Sequence, residues 1–294
     1  MSSQRLGIIY ALLAYGIWGL FPIYWKLLDS VAALEILSHR VIWSTLLLLG
    51  VIFAYNYWQQ LIKLFLKPKQ SLPLLASASV LAFNWGLYIY GVNSDRIVET
   101  SLGYFINPLV NVLLGVIILR ERLQLGQWVA VMLATFGVGY SIFAVGQIPW
   151  IALGLAFSFG MYGLLRKVIV VKPILGLTIE TCLLTPVAIA YLSWHNDNHF
   201  GENWLITLLL IGCGVVTSFP LFCFNSAVQS LRLSTMGFFQ YIAPSLQLLL
   251  GIWLYDEPFT RDDIIVFGFI WAALALYSGI SVVNSTSKNK LNRK

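Results

Sequence analysis

Apolar stretches of about 20 residues follow one another along almost the whole 294-residue chain, separated by short polar turns, and that succession dictates the solvent the fold must face. In hydrocarbon every backbone amide and carbonyl has to be paired within the chain, so runs of this length are expected as helices. Composition agrees: 59% of residues are hydrophobic and 10% charged, too little polar material to clothe a soluble globule of this size. The spans read at about 6–26, 31–55, 72–92, 98–119, 125–145, 150–165, 174–193, 203–227, 234–255 and 264–284. The first run carries tryptophans and no small-x-small cleavage pattern, so it reads as a helix and not as a removable signal. The fold class expected is an all-α polytopic membrane protein of ten transmembrane helices, with the bilayer as its solvent.

Charge orients these spans. Of the 18 Lys and Arg residues, 14 gather on the side that holds both termini, three (Lys26, Arg96, Arg261) lie on the other, and Arg40 sits within a span. Nine of the 12 acidic residues occupy the opposite side, Glu121 shares the basic side, and Glu35 and Glu180 lie within spans. A missed or invented helix would reverse the bias partway along the chain, and no reversal occurs. The positive-inside rule then places both termini in the cytoplasm.

A repeat supplies the topology. Leu102–Leu123 returns 136 positions later as Phe238–Phe259: Ile106, Pro108, Leu113, Leu114, Gly115 and Glu121 meet identical Ile242, Pro244, Leu249, Leu250, Gly251 and Glu257, and Asn111 meets Gln247. A second echo relates Tyr15–Leu20 to Phe159–Leu164. Ten spans divide into a first five-helix unit over 1–146 and a second over 147–294. Five is odd, so the second copy enters the membrane from the other side and the repeat is inverted. Small residues such as Gly126, Ala130 and Ala134 are expected to let helices approach closely where lipid gives no hydrophobic gain.

Polar groups inside spans mark the site candidates. Glu35 and His39 are four apart on one helix face, so a carboxylate could tune an imidazole that grips a charged solute or passes a proton. Arg40 faces elsewhere and reads as a structural ion pair. Glu180 lies near the face opposite Glu35, either as a second site group or paired with Arg166 or Lys167. Pro108 and Pro244 each free the carbonyl four residues back, which makes them candidate helix hinges beside Asn107, Asn111, Gln240 and Gln247. Trp18, Asn84, Tyr88, Tyr162 and Tyr241, with Tyr15, Tyr24 and Trp85, complete the candidate lining, although most aromatics in such a chain pack or sit at the membrane interface. Cys182, Cys213 and Cys223 share no metal-ligand spacing and read as buried thiols. No phosphate loop, nucleophile elbow or metal set is present, so no enzyme, cofactor, metal or nucleic-acid partner is expected.

The motifs Glu35–Ser44, Ser101–Asn111, Ile151–Ser158 with Tyr162-Gly163, and Leu231–Ile242, in this order, resemble those of RarD proteins in the EamA branch of the bacterial drug/metabolite transporter superfamily. The resemblance spans nearly the whole chain. It implies a basket of two inverted five-helix repeats in the inner membrane and the movement of small metabolites, and it supplies no functional residues. The function expected is a secondary transporter, an exporter of drug-like or amino-acid-like solutes by alternating access, with proton coupling left open. A non-transporting receptor or regulatory subunit is the alternative.

Overall fold

In the computed structural model of the chain, which describes residues 3–119, 125–145, 148–169, 171–195, 199–230 and 239–291, the apolar runs are helical and no strand occurs among the described residues. In chain order the elements are α1 (Ser3–Gly19), α2 (Phe21–Lys26), α3 (Ala33–Ala54), α4 (Trp58–Phe65), α5 (Pro68–Asn93), α6 (Ile97–Leu119), α7 (Leu125–Val145), α8 (Trp150–Val168), α9 (Pro173–Trp194), α10 (Trp204–Ser230), α11 (Ile242–Trp253) and α12 (Arg261–Leu291). Helices lie within all ten expected spans, the ninth of which is described only from 239 and forms α11 after a turn at 240–241; the other spans show two differences. The first is broken at Leu20 into α1 and α2, and a short amphipathic helix, α4, lies between the second and third. The basic segment Arg120–Arg122, with Glu121, and the motif segment 231–238 lie outside the described residues.

Helix ends follow local chemistry. Asn56 and Asp95 take positive φ just after α3 and α5, the left-handed stop that asparagine and aspartate tolerate best after glycine. Thr260 and Asp263 cap α12 reciprocally: the Thr260 amide donates to Asp263 at 2.8 Å and the Asp263 amide to the Thr260 hydroxyl at 3.3 Å. The break in the first span has a proline cause. Pro22 lacks the amide that would bond the Trp18 carbonyl, and Gln247 of α11 reaches across to donate to that carbonyl at 3.0 Å.

Packing runs mostly between the two copies. Matching the copies in order pairs α1/α2 with α8, α3 with α9, α5 with α10, α6 with α11 and α7 with α12. The principal contacts between copies then have mirrors: α6–α8 with α11–α1, α5–α8 with α10–α1, and α3–α10 with α9–α5, while α3–α9, α6–α11 and α7–α12 pair with themselves. On the self-paired α3–α9 contact, Thr45 and Thr185, 140 positions apart, share a hydrogen bond of 2.9 Å. The copies thus interdigitate about a pseudo-two-fold axis.

Small residues allow the approach. A Cβ on Gly103 would stand 2.7 Å from the Ala152 carbonyl oxygen, and one on Gly214 2.7 Å from that of Trp43. Gly126, Ala130 and Ala134 of α7 lie against α12 or the core beside it, as their spacing predicts. Outward-facing side chains are apolar, with Phe53 81% and Phe143 91% exposed, and Trp194, Trp204 and Trp253 stand at helix ends where interfacial belts form.

Candidate functional site

The face of the bundle away from the termini is tied by carboxylates on backbone amides. Glu257, in the turn after α11, accepts the amides of Ile97 and Val98 at 2.7 Å each, covering the orphan donors that open α6. Within the first turn of α6, Glu99 pairs with Arg96 and accepts the amides of Ile151 and Ala152 at the start of α8, at 3.0 and 3.4 Å. Burial pushes the Glu257 carboxyl above its ordinary range, and the amide hydrogen bonds pull it back in part.

Glu35 works in the same way. Both of its oxygens are engaged by His199 in the loop before α10: one accepts the backbone amide at 2.8 Å, the other pairs with Nδ1 at 2.9 Å. His39, one turn further along α3, lies flat on Phe200 of that loop at 4.9 Å between ring centres. Helix spacing pointed Glu35 to His39. The structure directs both side chains of that face to adjacent residues of a loop 164 positions away.

Asn84, 1% exposed, cross-links α5 to α8, donating to the Leu155 carbonyl at 3.1 Å and to Ser158 at 2.9 Å, and it receives the Tyr104 hydroxyl at 3.4 Å. Asn107 donates to the Ala156 carbonyl at 3.0 Å, joining α6 to α8. Gln247 is spent on Trp18, as above, while its Oε1 has no hydrogen-bond partner among the described residues. Trp18 itself packs edge-on against Tyr15 at 5.4 Å. Tyr241 closes the start of α11 and stacks with Phe105, and Gln240 lies in the half-buried turn before it.

The two prolines differ. Pro244 falls in the first turn of α11, just after that turn, where the helix already breaks at 240–241; α6 runs on through Pro108. The side chains of Pro108 and Asn111 lie outside the described residues. Among the described residues no three His, Cys, Asp or Glu side chains gather as a metal set, and the three cysteines are free.

Two charges in the interior stand apart from this stitching. Glu180, 1% exposed on α9, accepts Ser77 at 2.6 Å and Arg166 at 3.4 Å on one oxygen, and Tyr162 lies beside it. Arg40, 3% exposed on α3, was expected in an ion pair. It has no carboxylate within ion-pair reach among the described residues, and its guanidinium sits over the rings of Trp85, Trp25 and Phe21 at 4.0, 5.2 and 5.8 Å. The α3/α9 offset of 140 that brings Thr45 onto Thr185 also makes Arg40 the counterpart of Glu180, each the eighth residue of its helix.

Rings connect the two charges: Tyr88 with Tyr104 at 5.7 Å, Tyr104 with Phe159 at 6.1 Å, and Phe159 with Tyr162 at 6.1 Å. Asn84, Tyr88, Tyr162 and Glu180 are legible site candidates in the sequence. Arg40, Tyr104 and Phe159 are the additions, and the repeat offset carried into α3 and α9 could have drawn attention to Arg40. Beside the Thr45–Thr185 bond, an open groove of about 520 Å³ is lined by Cys182, Pro186, Ile189 and Ala190 and is almost wholly apolar.

Comparison with known proteins adds four findings. Residues 5–143 and 148–279 each match the EamA-like transporter family. The chain is 48% identical over 280 residues to the protein RarD of Salmonella typhimurium, covering 94% of this chain and 95% of that one. It is 47% identical over 281 residues to an uncharacterized transporter of Vibrio cholerae, covering 94% and 93%. A solved crystal structure shares the fold at a TM-score of 0.60 with 14% identity, over 93% of this chain and 97% of that one.

Proposed function

Because the chain belongs to the EamA-like transporter family, within its RarD group, and is a multi-pass membrane transporter and not an enzyme, we propose a specific cycle for it. It is a secondary exporter of small drug-like or amino-acid-like solutes, working by alternating access between the five-helix units 1–146 and 147–294. It lies in the bacterial inner membrane with both termini in the cytoplasm, which the basic side chains of the terminal face favour. One observation carries the reading. Two buried, oppositely charged side chains, Arg40 and Glu180, sit at matching places on helices that cross at the pseudo-two-fold axis, with a line of rings between them. Inverted repeats place a solute at their shared interface near the midplane, and rocking of one unit against the other exposes it to each side in turn.

In this scheme Asn84, Tyr88, Asn107, Asn111, Tyr162, Gln240, Tyr241 and Gln247 border the path, Trp18 backs Gln247, and Pro108 and Pro244 serve as hinges. Glu35 and His39 gate the end of the path away from the termini through their grip on His199 and Phe200, and a proton taken up by Glu35 would loosen that grip. No nucleotide-binding motif is present in the sequence, so a solute or proton gradient supplies the energy.

The test is flux in proteoliposomes containing the purified protein, against a metabolite panel, with and without an imposed pH gradient. A gradient-driven flux that Glu35→Gln or His39→Ala weakens is the expected result. A flux indifferent to the gradient and to both substitutions removes the proton coupling, and no flux of any solute favours a receptor or regulatory subunit.

A further inference from the structure

Arg40 stands in a cluster with many donors and, among the described residues, no carboxylate: the oxygens and sulfur near it belong to the neutral Tyr88 and Tyr104 hydroxyls and the Cys213 thiol. The Arg40 Nε and Nη1, the Tyr88 hydroxyl and the Trp25 indole N–H are all buried without a hydrogen-bond partner among the described residues. Trp25 is itself one of the rings beside the guanidinium, and the hydroxyls of Tyr88 and Tyr104 lie within electrostatic reach of it. The rings explain how the cation is tolerated, since a desolvated cation is attracted to the faces of aromatic rings. They do not satisfy its hydrogen bonds: a guanidinium presents its N–H groups in its own plane, whereas a ring centred 4.0 Å away covers a face. At the face away from the termini the buried charges meet matched partners, as Glu35, Glu99 and Glu257 do.

On the transporter reading above, we propose that Arg40, with Tyr88 and Trp25, is the anion-binding end of the transport site, and that the solute carries a single carboxylate. A carboxylate brings acceptors alone, is planar like the guanidinium, and gains charge-assisted hydrogen bonds in a site with little water. One cation and neutral donors match one negative charge. A phosphate dianion would ask for a second cation, and none of the described residues provides one within the cluster. The carboxylate of α3 closest in sequence, Glu35, is held by His199 and does not compete.

The test is equilibrium binding to the purified protein in detergent, read by tryptophan emission, because Trp85 and Trp25 flank Arg40. Phenylacetate and N-acetylphenylalanine are titrated against their primary amides and against inorganic phosphate. The acids are expected to bind at least about tenfold more tightly than the amides, a difference of about 1.4 kcal/mol. Arg40→Gln should abolish that preference with the unfolding midpoint little changed, and Arg40→Lys should keep it in weakened form. If Arg40→Gln does not fold, the lysine variant decides: undiminished affinity for the acids overturns the assignment. Equal binding of acid and amide by the parent, no binding of either acid, or phosphate as the tightest ligand also overturns it. Flux of solutes without carboxylate preference would sink this site and leave the transporter standing. Carboxylate binding without flux of any solute would do the reverse.

Discussion

The bundle treats buried charge in two ways, by location. At the face away from the termini, Glu35 and Glu99 each spend one oxygen, and Glu257 both, on backbone amides of a neighbouring element, and each amide they cover would otherwise be an orphan at a loop or helix start. In the interior, Arg40 leans on rings and leaves donors open, while Glu180 takes Ser77 and Arg166 on one oxygen and leaves Oε2 without a geometric hydrogen bond among the described residues. Satisfied charges hold elements together. Charges kept partly unsatisfied in hydrocarbon cost stability, and that cost persists where a ligand or a conformational step supplies the missing partner.

Substitutions can break this contrast. The largest effect is expected for Glu257→Ala, which leaves two buried amides uncovered at the start of α6; a loss of about 2–4 kcal/mol is expected from the hydrogen bonds and the helix-dipole interaction together. Unfolding by SDS titration in mixed micelles measures it, and a loss no larger than that of a surface substitution would erase the distinction. The same carboxyl gives a pH test. Its folded pKa is raised, so the folded state keeps the proton to higher pH than the unfolded chain does. Its contribution is fully present below the ordinary value of 4.5 and declines as pH rises through the folded value. Glu257→Gln should flatten that part of the stability–pH curve.

Glu180→Gln sharpens the other side. Glutamine still accepts from Ser77, and Arg166 keeps some contact with solvent, so about 1 kcal/mol or less should be lost from stability while flux in proteoliposomes falls markedly. A large loss of stability with normal flux would class Glu180 with the stitching carboxylates. The smallest effect is expected at the axis: a double-mutant cycle of Thr45→Val and Thr185→Val should give a coupling of about 0.6 kcal/mol, typical of hydrogen bonds between membrane helices.

Spans, their order and the doubling were legible because hydropathy, charge bias and repeated motifs are properties of contiguous sequence. Partnerships were not. Helical spacing relates Glu35 to His39, but it looks only three or four residues either way, and His199 and Phe200 are far along the chain. Arg40 suggested an ion pair because membrane cations usually find carboxylates, and in a chain with 15% aromatic residues nothing singles out three rings as the alternative. Prolines show the same limit. Pro22 breaks its span and Pro108 leaves its helix continuous, and the consequence of a missing amide depends on what stands beside the freed carbonyl.

The hydroxyl bond between Thr45 and Thr185 is a contact that two identical units could make as well as two halves of one chain. A residue lying on a two-fold axis meets its own copy, so a lone five-helix polypeptide pairing about a two-fold axis with an identical one of opposite orientation would form that contact unchanged. The charges five residues away could not have arisen under that restriction, because identical subunits would have set like against like at both places. Halves that differ in sequence are free of that identity, and an arginine in one with a glutamate in the other gives the bundle a polarity that a symmetric dimer could not possess.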